Sequence, residues 1–132
     1  MTRYVIDAPT LLHLVERELA VAAHHQLVAP AAIRSEGLEL LLHDVRRGKR
    51  TEKDARQLHT RMTEVKIRAL GDRVSRWTAW KIARDQDWDT LRDAEYLAVT
   101  QLQADALVTV DPRLAALADG LVPVQPVENL FE

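Results

Sequence analysis

At 132 residues, with 47% apolar residues, 29% charged residues and a net charge of −2, the chain has the size of one globular domain and a composition that excludes disorder. It contains no cysteine, which excludes thiol catalysis and thiolate metal sites and agrees with a cytoplasmic address. No segment approaches the ~20 apolar residues of a membrane span, and the first apolar run carries Asp7 and no small-residue cleavage site, so neither an anchor nor a secretory signal is expected.

Arg3-Tyr-Val-Ile6 is a short β-rich run that ends at Asp7 and reads as a buried strand. Thr10 is placed to cap a helix through Leu11, Leu12, Leu14, Val15 and Leu19, which are apolar at helical spacing. Leu27-Val-Ala29 is a second strand, and Pro30 is expected in the first turn of a helix running to about Arg47, with Gly48 as its stop. Thr51-Glu-Lys-Asp54 resembles a capping box with Asp in place of Glu or Gln, and opens a helix expected to reach about Leu70-Gly71. A helix from about Ser75 carries Trp77, Trp80, Ile82 and Ala83, and another, capped by Asp89 or Thr90, carries Leu91, Ala94, Tyr96, Leu97 and Val99. Ala106-Leu-Val-Thr-Val110 is the clearest buried strand and ends at Asp111. A short helix from Pro112 to about Ala118 and a weaker strand over Leu121-Val-Pro-Val124 complete the chain. Strands alternating with helices predict a single α/β domain over residues 1–132, with a central parallel sheet covered by helices on both faces.

Charge is distributed unevenly. Between Arg46 and Arg84 thirteen Lys or Arg (Arg46, Arg47, Lys49, Arg50, Lys53, Arg56, Arg61, Lys66, Arg68, Arg73, Arg76, Lys81, Arg84) face four acids, a balance of +9; the remaining residues hold five bases against sixteen acids, a balance of −11. A basic middle of this kind is expected to contact a polyanion through its phosphates, with salt-dependent affinity. Trp77 and Trp80, three apart on one helix face, are read as core or interface packing and not as base-stacking platforms. His13, His24, His25, His43 and His59 show no metal-ligand spacing and read as structural or surface residues.

Two strands end in aspartate, Val5-Ile6-Asp7 and Thr109-Val110-Asp111. In open α/β sheets the ligand crevice lies beyond the carboxyl ends of the strands, so adjacent parallel strands would present Asp7 and Asp111 side by side. Carboxylates held close repel one another unless a proton or cation lies between them, and Mg²⁺ or Mn²⁺ suits hard oxygen ligands. Glu36, near Ile33 and Leu40 on a helical wheel and almost two turns past Pro30, edges an apolar face, while Asp93 sits in a first helical turn beside Ala94 and Leu97. Singly, each acid has an ordinary structural explanation as a cap, turn or boundary residue. Together they describe a site. Asp85, Asp87, Asp89 and Glu95 crowd near Asp93 and compete for its role.

With these residues in place the chain resembles the PIN-domain nucleases and, within them, the VapC toxins of bacterial toxin–antitoxin pairs. The matching segments are Tyr4-Val-Ile-Asp7-Ala8 with Leu11-Leu12, Leu27-Val-Ala-Pro30 leading to Ser35-Glu36, Leu91-Arg-Asp93-Ala-Glu-Tyr-Leu-Ala98, and Leu107-Val-Thr-Val-Asp111, in family order and spanning nearly the whole chain. The resemblance implies a three-layer α/β/α sandwich and an Mg²⁺- or Mn²⁺-dependent endoribonuclease whose metal and catalytic residues are Asp7, Glu36, Asp93 and Asp111. It also implies an RNA substrate, a VapB-like antitoxin and a homodimer. Thr109 matches a hydroxyl position near the site. The family often has Ser two residues after its first Asp, where Pro9 stands here, so Thr10 is left to supply that hydroxyl. Two other readings are a catalytically weak domain of this type that binds RNA or a partner, and a phosphoryl-receiver-like signalling domain. The receiver would want paired acids after the first strand and a Lys after the late one, and this chain has neither.

Overall fold

The computed structural model describes residues 1–132. The elements in chain order are β1 (Thr2–Ile6), α1 (Ala8–Glu16), β2 (His25–Pro30), α2 (Ile33–Arg46), α3 (Glu52–Glu64), β3 (Ile67–Leu70), α4 (Arg73–Gln86), α5 (Arg92–Gln103), β4 (Ala106–Val108), α6 (Pro112–Ala118) and β5 (Val124–Gln125), followed by a 3₁₀ turn over Val127–Phe131. The strands form one sheet of order β3-β2-β1-β4-β5 in which every neighbouring pair is parallel.

Alternation along the strands builds two cores. Tyr4, Ile6, Leu27, Ala29, Ala106 and Val108 face α1, α2 and α3, where Leu11, Leu14, Ile33, Leu41, Leu58 and Met62 are buried. Val5, Val28 and Leu107 point the other way, onto Ala79, Ile82, Leu97 and Leu114 of α4, α5 and α6. Successive side chains of a strand alternate faces, so a strand apolar at every position is buried on both. The result is the expected α/β/α sandwich. No helix is long and apolar enough to cross a membrane.

Several local expectations need correction. The helix from Thr51 ends at Glu64, where Val65 turns extended, and Ile67–Leu70 is an edge strand paired with β2. Short apolar runs fit a helix or a strand equally well by periodicity, and here the sheet decides. Pro30 is the last residue of β2, opposite Leu70, and the N–H of Ala31 donates to the Leu70 carbonyl in its stead. Because α2 starts only at Ile33, Glu36 lies in its first turn. Asp7, not Thr10, caps α1, accepting from the Thr10 N–H, and the helix closes before Leu19. Asp72, immediately before Arg73, caps α4 by accepting from the Ser75 N–H, whereas α5 has no side-chain cap at Asp89 or Thr90 and starts from Leu91. Pairing of β4 stops at Val108, and the last strand is Val124–Gln125 and not Leu121–Val124. Thr51 does cap α3, its hydroxyl accepting from the Asp54 N–H at 3.1 Å.

Candidate active site

The chain runs outward from β1 through β2 to β3, then returns to the opposite side of β1 with β4, where Ile6 sits beside Val108. Strand order therefore reverses between β1 and β4, and a crevice opens beyond the carboxyl ends of two strands whose connections diverge. Asp7 follows β1 at this point and caps α1; Asp111 stands three residues beyond β4 and caps α6, accepting from the Arg113 N–H at 2.9 Å. The first turn of α2 adds Glu36 and the first turn of α5 adds Asp93. All four acids line one cleft of about 240 Å³, together with Glu39, His43, Arg92, Tyr96 and Arg113. Asp85, Asp87, Asp89 and Glu95 do not line it, so Asp93 faces the cleft without a competitor from its acidic neighbours.

Asp7 is 3% exposed and held on both oxygens. The Thr10 hydroxyl and backbone N–H meet Oδ1, and the Thr109 hydroxyl donates to Oδ2 at 2.7 Å. Each hydroxyl in turn accepts a backbone N–H, Val110 to Thr10 at 3.0 Å and Asp111 to Thr109 at 2.9 Å. This relay ties the end of β1 to the loop after β4 and fixes the orientation of the Asp7 carboxylate. Thr10 therefore supplies a hydroxyl despite Pro9. Burial nonetheless pushes the Asp7 carboxyl above its ordinary value, against the lowering effect of both threonines.

Glu36 accepts the Tyr96 hydroxyl at 2.6 Å and has the Arg92 guanidinium 4.0 Å from its other oxygen. Its carboxyl is also pushed up by burial, partly offset by Tyr96 and then Arg92. Burial and the bond to Glu36 raise the Tyr96 phenol, keeping it a hydrogen-bond donor. Arg113 forks onto Asp93 through two bonds of 2.8 and 2.9 Å and stands 3.5 Å from Asp111. As these side chains stand, no three carboxylates or histidines converge closely enough to hold a metal ion, although four acids share the cleft. The two observations agree once the partners are counted, because each acid is drawn toward a protein donor. A cation would need Arg113 to release Asp93 and the acids to turn inward by rotamer changes. The donor set of hard carboxylate oxygens suits Mg²⁺ or Mn²⁺ on that condition.

Arg92, Tyr96 and Arg113 escaped the reading of the sequence. Their signal was spacing, since Tyr96 is one helical turn after Asp93 and Arg113 is two residues after Asp111. The basic middle is not one surface: α3 and α4 cover opposite faces of the sheet, Arg50 pairs with Asp44 and Glu16, and none of the thirteen bases lines the cleft. Trp77 and Trp80 are 53% and 41% exposed, so neither is core. His43 lines the cleft, and both ring nitrogens of His25 are buried without a hydrogen-bond partner.

No family model matches the chain, and no curated protein matches it. Among solved structures it is similar to the crystal structure of PAE2754 from Pyrobaculum aerophilum, at 22% identity and a TM-score of 0.70, over 98% of this chain and 93% of that one. At that identity the likeness establishes the fold, and the chemistry rests on the cleft.

Proposed function

We propose that the chain is an Mg²⁺- or Mn²⁺-dependent endoribonuclease of the PIN type, acting in the cytoplasm as the toxin of a VapBC-type pair. One observation carries the reading: Asp7, Glu36, Asp93 and Asp111, drawn from four separate elements, line one cleft at the point where the strand order reverses. The cleft holds five acids (these four and Glu39) against Arg92 and Arg113, a formal charge of −3, and so opposes an anionic phosphodiester unless a cation joins it. A bound divalent ion would supply a water of lowered pKa and charge stabilisation at the scissile phosphate.

The chain's own residues prepare that chemistry. Thr10 and Thr109 hold Asp7 in one orientation, Tyr96 aims Glu36, and the exposed guanidinium of Arg113 can leave Asp93 for a phosphate. Asp7, Glu36, Asp93 and Asp111 would hold the ion. With no cysteine and no Ser–His pair in the sequence, water is the nucleophile in this reading. The same reading brings a homodimer and a VapB-like antitoxin that blocks the cleft.

The purified chain should cleave RNA with Mg²⁺ or Mn²⁺ and not in EDTA, and Asp7→Asn should lose cleavage while keeping its fold. Equal cleavage by Asp7→Asn would sink the site assignment. A second reading, a domain of this fold that binds RNA or a partner without cleaving, is favoured by the engagement of all four acids with protein donors. It is the conclusion to draw if the parent binds RNA and leaves it intact with either metal.

A further inference from the structure

The outer face of α4 has no structural use within the chain. Ser75, Ala79, Ile82 and Ala83 are the buried side of this helix, and the opposite side presents Trp77 and Trp80 with Val74, itself 59% exposed. The two indoles lie parallel, 4° apart in plane and 4.7 Å between centroids, and the Arg84 guanidinium sits 5.2 Å from the Trp80 ring. Arg84 also meets Asp85 at 3.0 Å. Arg73, Trp77, Trp80 and Arg84 follow at intervals of four, three and four residues, which puts them in one row along the helix. Lys81 flanks the row. The result is an exposed column of flat rings bordered by three cations and one acid.

Contiguous exposed apolar groups rimmed by polar residues mark contact surfaces. Charge decides the occupant. Two copies of α4 laid face to face would oppose Arg73, Lys81 and Arg84 with their own kind, whereas a polyanion complements them. Flat π faces between cations match unpaired bases on a phosphate backbone, and base–aromatic stacking tolerates any sequence. Place supports the same choice: Trp80 is six residues, about 9 Å, from the end of α4, and the segment 87–91 then leads into the first turn of α5, which carries Arg92 and Asp93 at the cleft.

We propose that the Trp77–Trp80 column, with Arg73, Lys81 and Arg84, is a docking site for single-stranded RNA outside the cleft. An unpaired base stacks on the open face of Trp77 while the cations take the neighbouring phosphates. The choice of RNA among polyanions rests on the nuclease reading, so the test is run without cleavage and each can fail alone.

The full chain in EDTA is titrated with a fluorescein-labelled oligouridylate about 12 nucleotides long, followed by anisotropy and by quenching of tryptophan emission. Trp77→Ala should weaken binding about 5- to 150-fold, and Trp77→Tyr should keep most of it. Raising salt should weaken binding, with a shallower dependence in Arg73→Gln/Arg84→Gln. Sedimentation of the same variants separates the protein alternative. If Trp77→Ala and Trp80→Ala bind the oligonucleotide as tightly as the parent, the docking site does not exist; if they also lower the sedimenting mass, this face joins protein copies instead. Loss of binding in Trp77→Ala by a parent that cleaves nothing would sustain the docking site and sink the nuclease.

Discussion

Replacing Asp7 by Asn should make the metal-free protein more stable at neutral pH. Asp7 is buried, and its carboxyl is raised above 3.8 by desolvation although Thr10 and Thr109 stabilise the ionised form. A carboxyl whose folded pKa lies above its unfolded one favours folding when protonated. That contribution is complete below the unfolded value of 3.8 and is lost as pH rises through the folded pKa, so at pH 7 the ionised group opposes folding. Asparagine removes the charge and keeps the geometry. Its amide oxygen can accept from Thr10, its NH₂ can donate to the Thr109 hydroxyl, and Asn caps a helix about as well as Asp. A single stabilising substitution commonly gives about 0.5–2 kcal/mol. With an unfolding entropy of ~2.1 cal/mol/K per residue over 132 residues, each kcal/mol moves Tm by about 3.6 °C, so the gain is about 2–7 °C. Calorimetry in EDTA at pH 7.5 and pH 4.5 measures it, and the gain should shrink at the acidic end. Saturating Mg²⁺ should raise the parent and leave Asp7→Asn where it was, because a ligand stabilises only the state that binds it. A lower Tm for Asp7→Asn at pH 7.5, or a gain equal at both pH values, would refute the claim that an ionised, desolvated Asp7 opposes folding.

Arg113→Gln removes the guanidinium that forks onto Asp93. Arg113 is 60% exposed, so the pair contributes only ~0.2–1 kcal/mol and Tm in EDTA should fall by about 1–4 °C. The Kd for Mn²⁺, followed by its electron paramagnetic resonance signal, should fall at the same time; weaker Mn²⁺ binding would show that Arg113 does not compete with a cation for these acids. Tyr96→Phe deletes the donor to Glu36 and should cost about 1–3 kcal/mol, because a half-buried carboxylate loses its partner. Since the Tyr96 bond lowers the Glu36 pKa, its loss should also move the acid limb of the cleavage profile to higher pH. An unchanged limb would remove Glu36 from the reaction.

The acids were legible because strand ends are local. A β-rich run that stops at an aspartate places that aspartate at the sheet's edge, and the parallel pairing of β1 with β4 sets Thr109 beside Asp7 and brings Asp111, two residues further on, to the same cleft. Asp93 could be assigned to a helix start and Glu36 to a helix, though almost two turns deep when it lies in the first turn, but nothing in their own segments says that α2 and α5 point those starts at one cleft. The partners were illegible for the same reason: Arg113 and Asp93 are twenty residues apart, and Tyr96 and Glu36 sixty. Periodicity at Trp77 and Trp80 gives a shared helix face without saying which face is buried. The small residues Ser75, Ala79 and Ala83 settle that by packing against the sheet and α5. The basic middle does not form one surface because β3 lies inside it and carries the chain from one face of the sheet to the other, splitting thirteen cations that look contiguous in sequence.

Arg113 shows how the cleft holds its acids together without a metal. Asp93 and Asp111 are 23% and 24% exposed, and the guanidinium that bridges them is 60% exposed. When a competitor enters, the group with most solvent around it moves at least cost, so Arg113 would swing out first and leave Asp93 and Asp111 free to turn toward the competitor. In the proposed enzyme Asp7, Glu36, Asp93 and Asp111 would hold the divalent ion in place of Arg113, and the freed guanidinium would reach the rim, where its planar fork suits a phosphate. The exchange explains why acids that share a cleft nonetheless fail to converge, since a +1 group spread over a fork satisfies them at longer reach than a compact +2 ion would. The part of the site held by the most hydrogen bonds is Asp7 with its two threonines. The adjustable part is Asp93, Asp111 and Arg113, brought from α5 and from the loop and helix after β4.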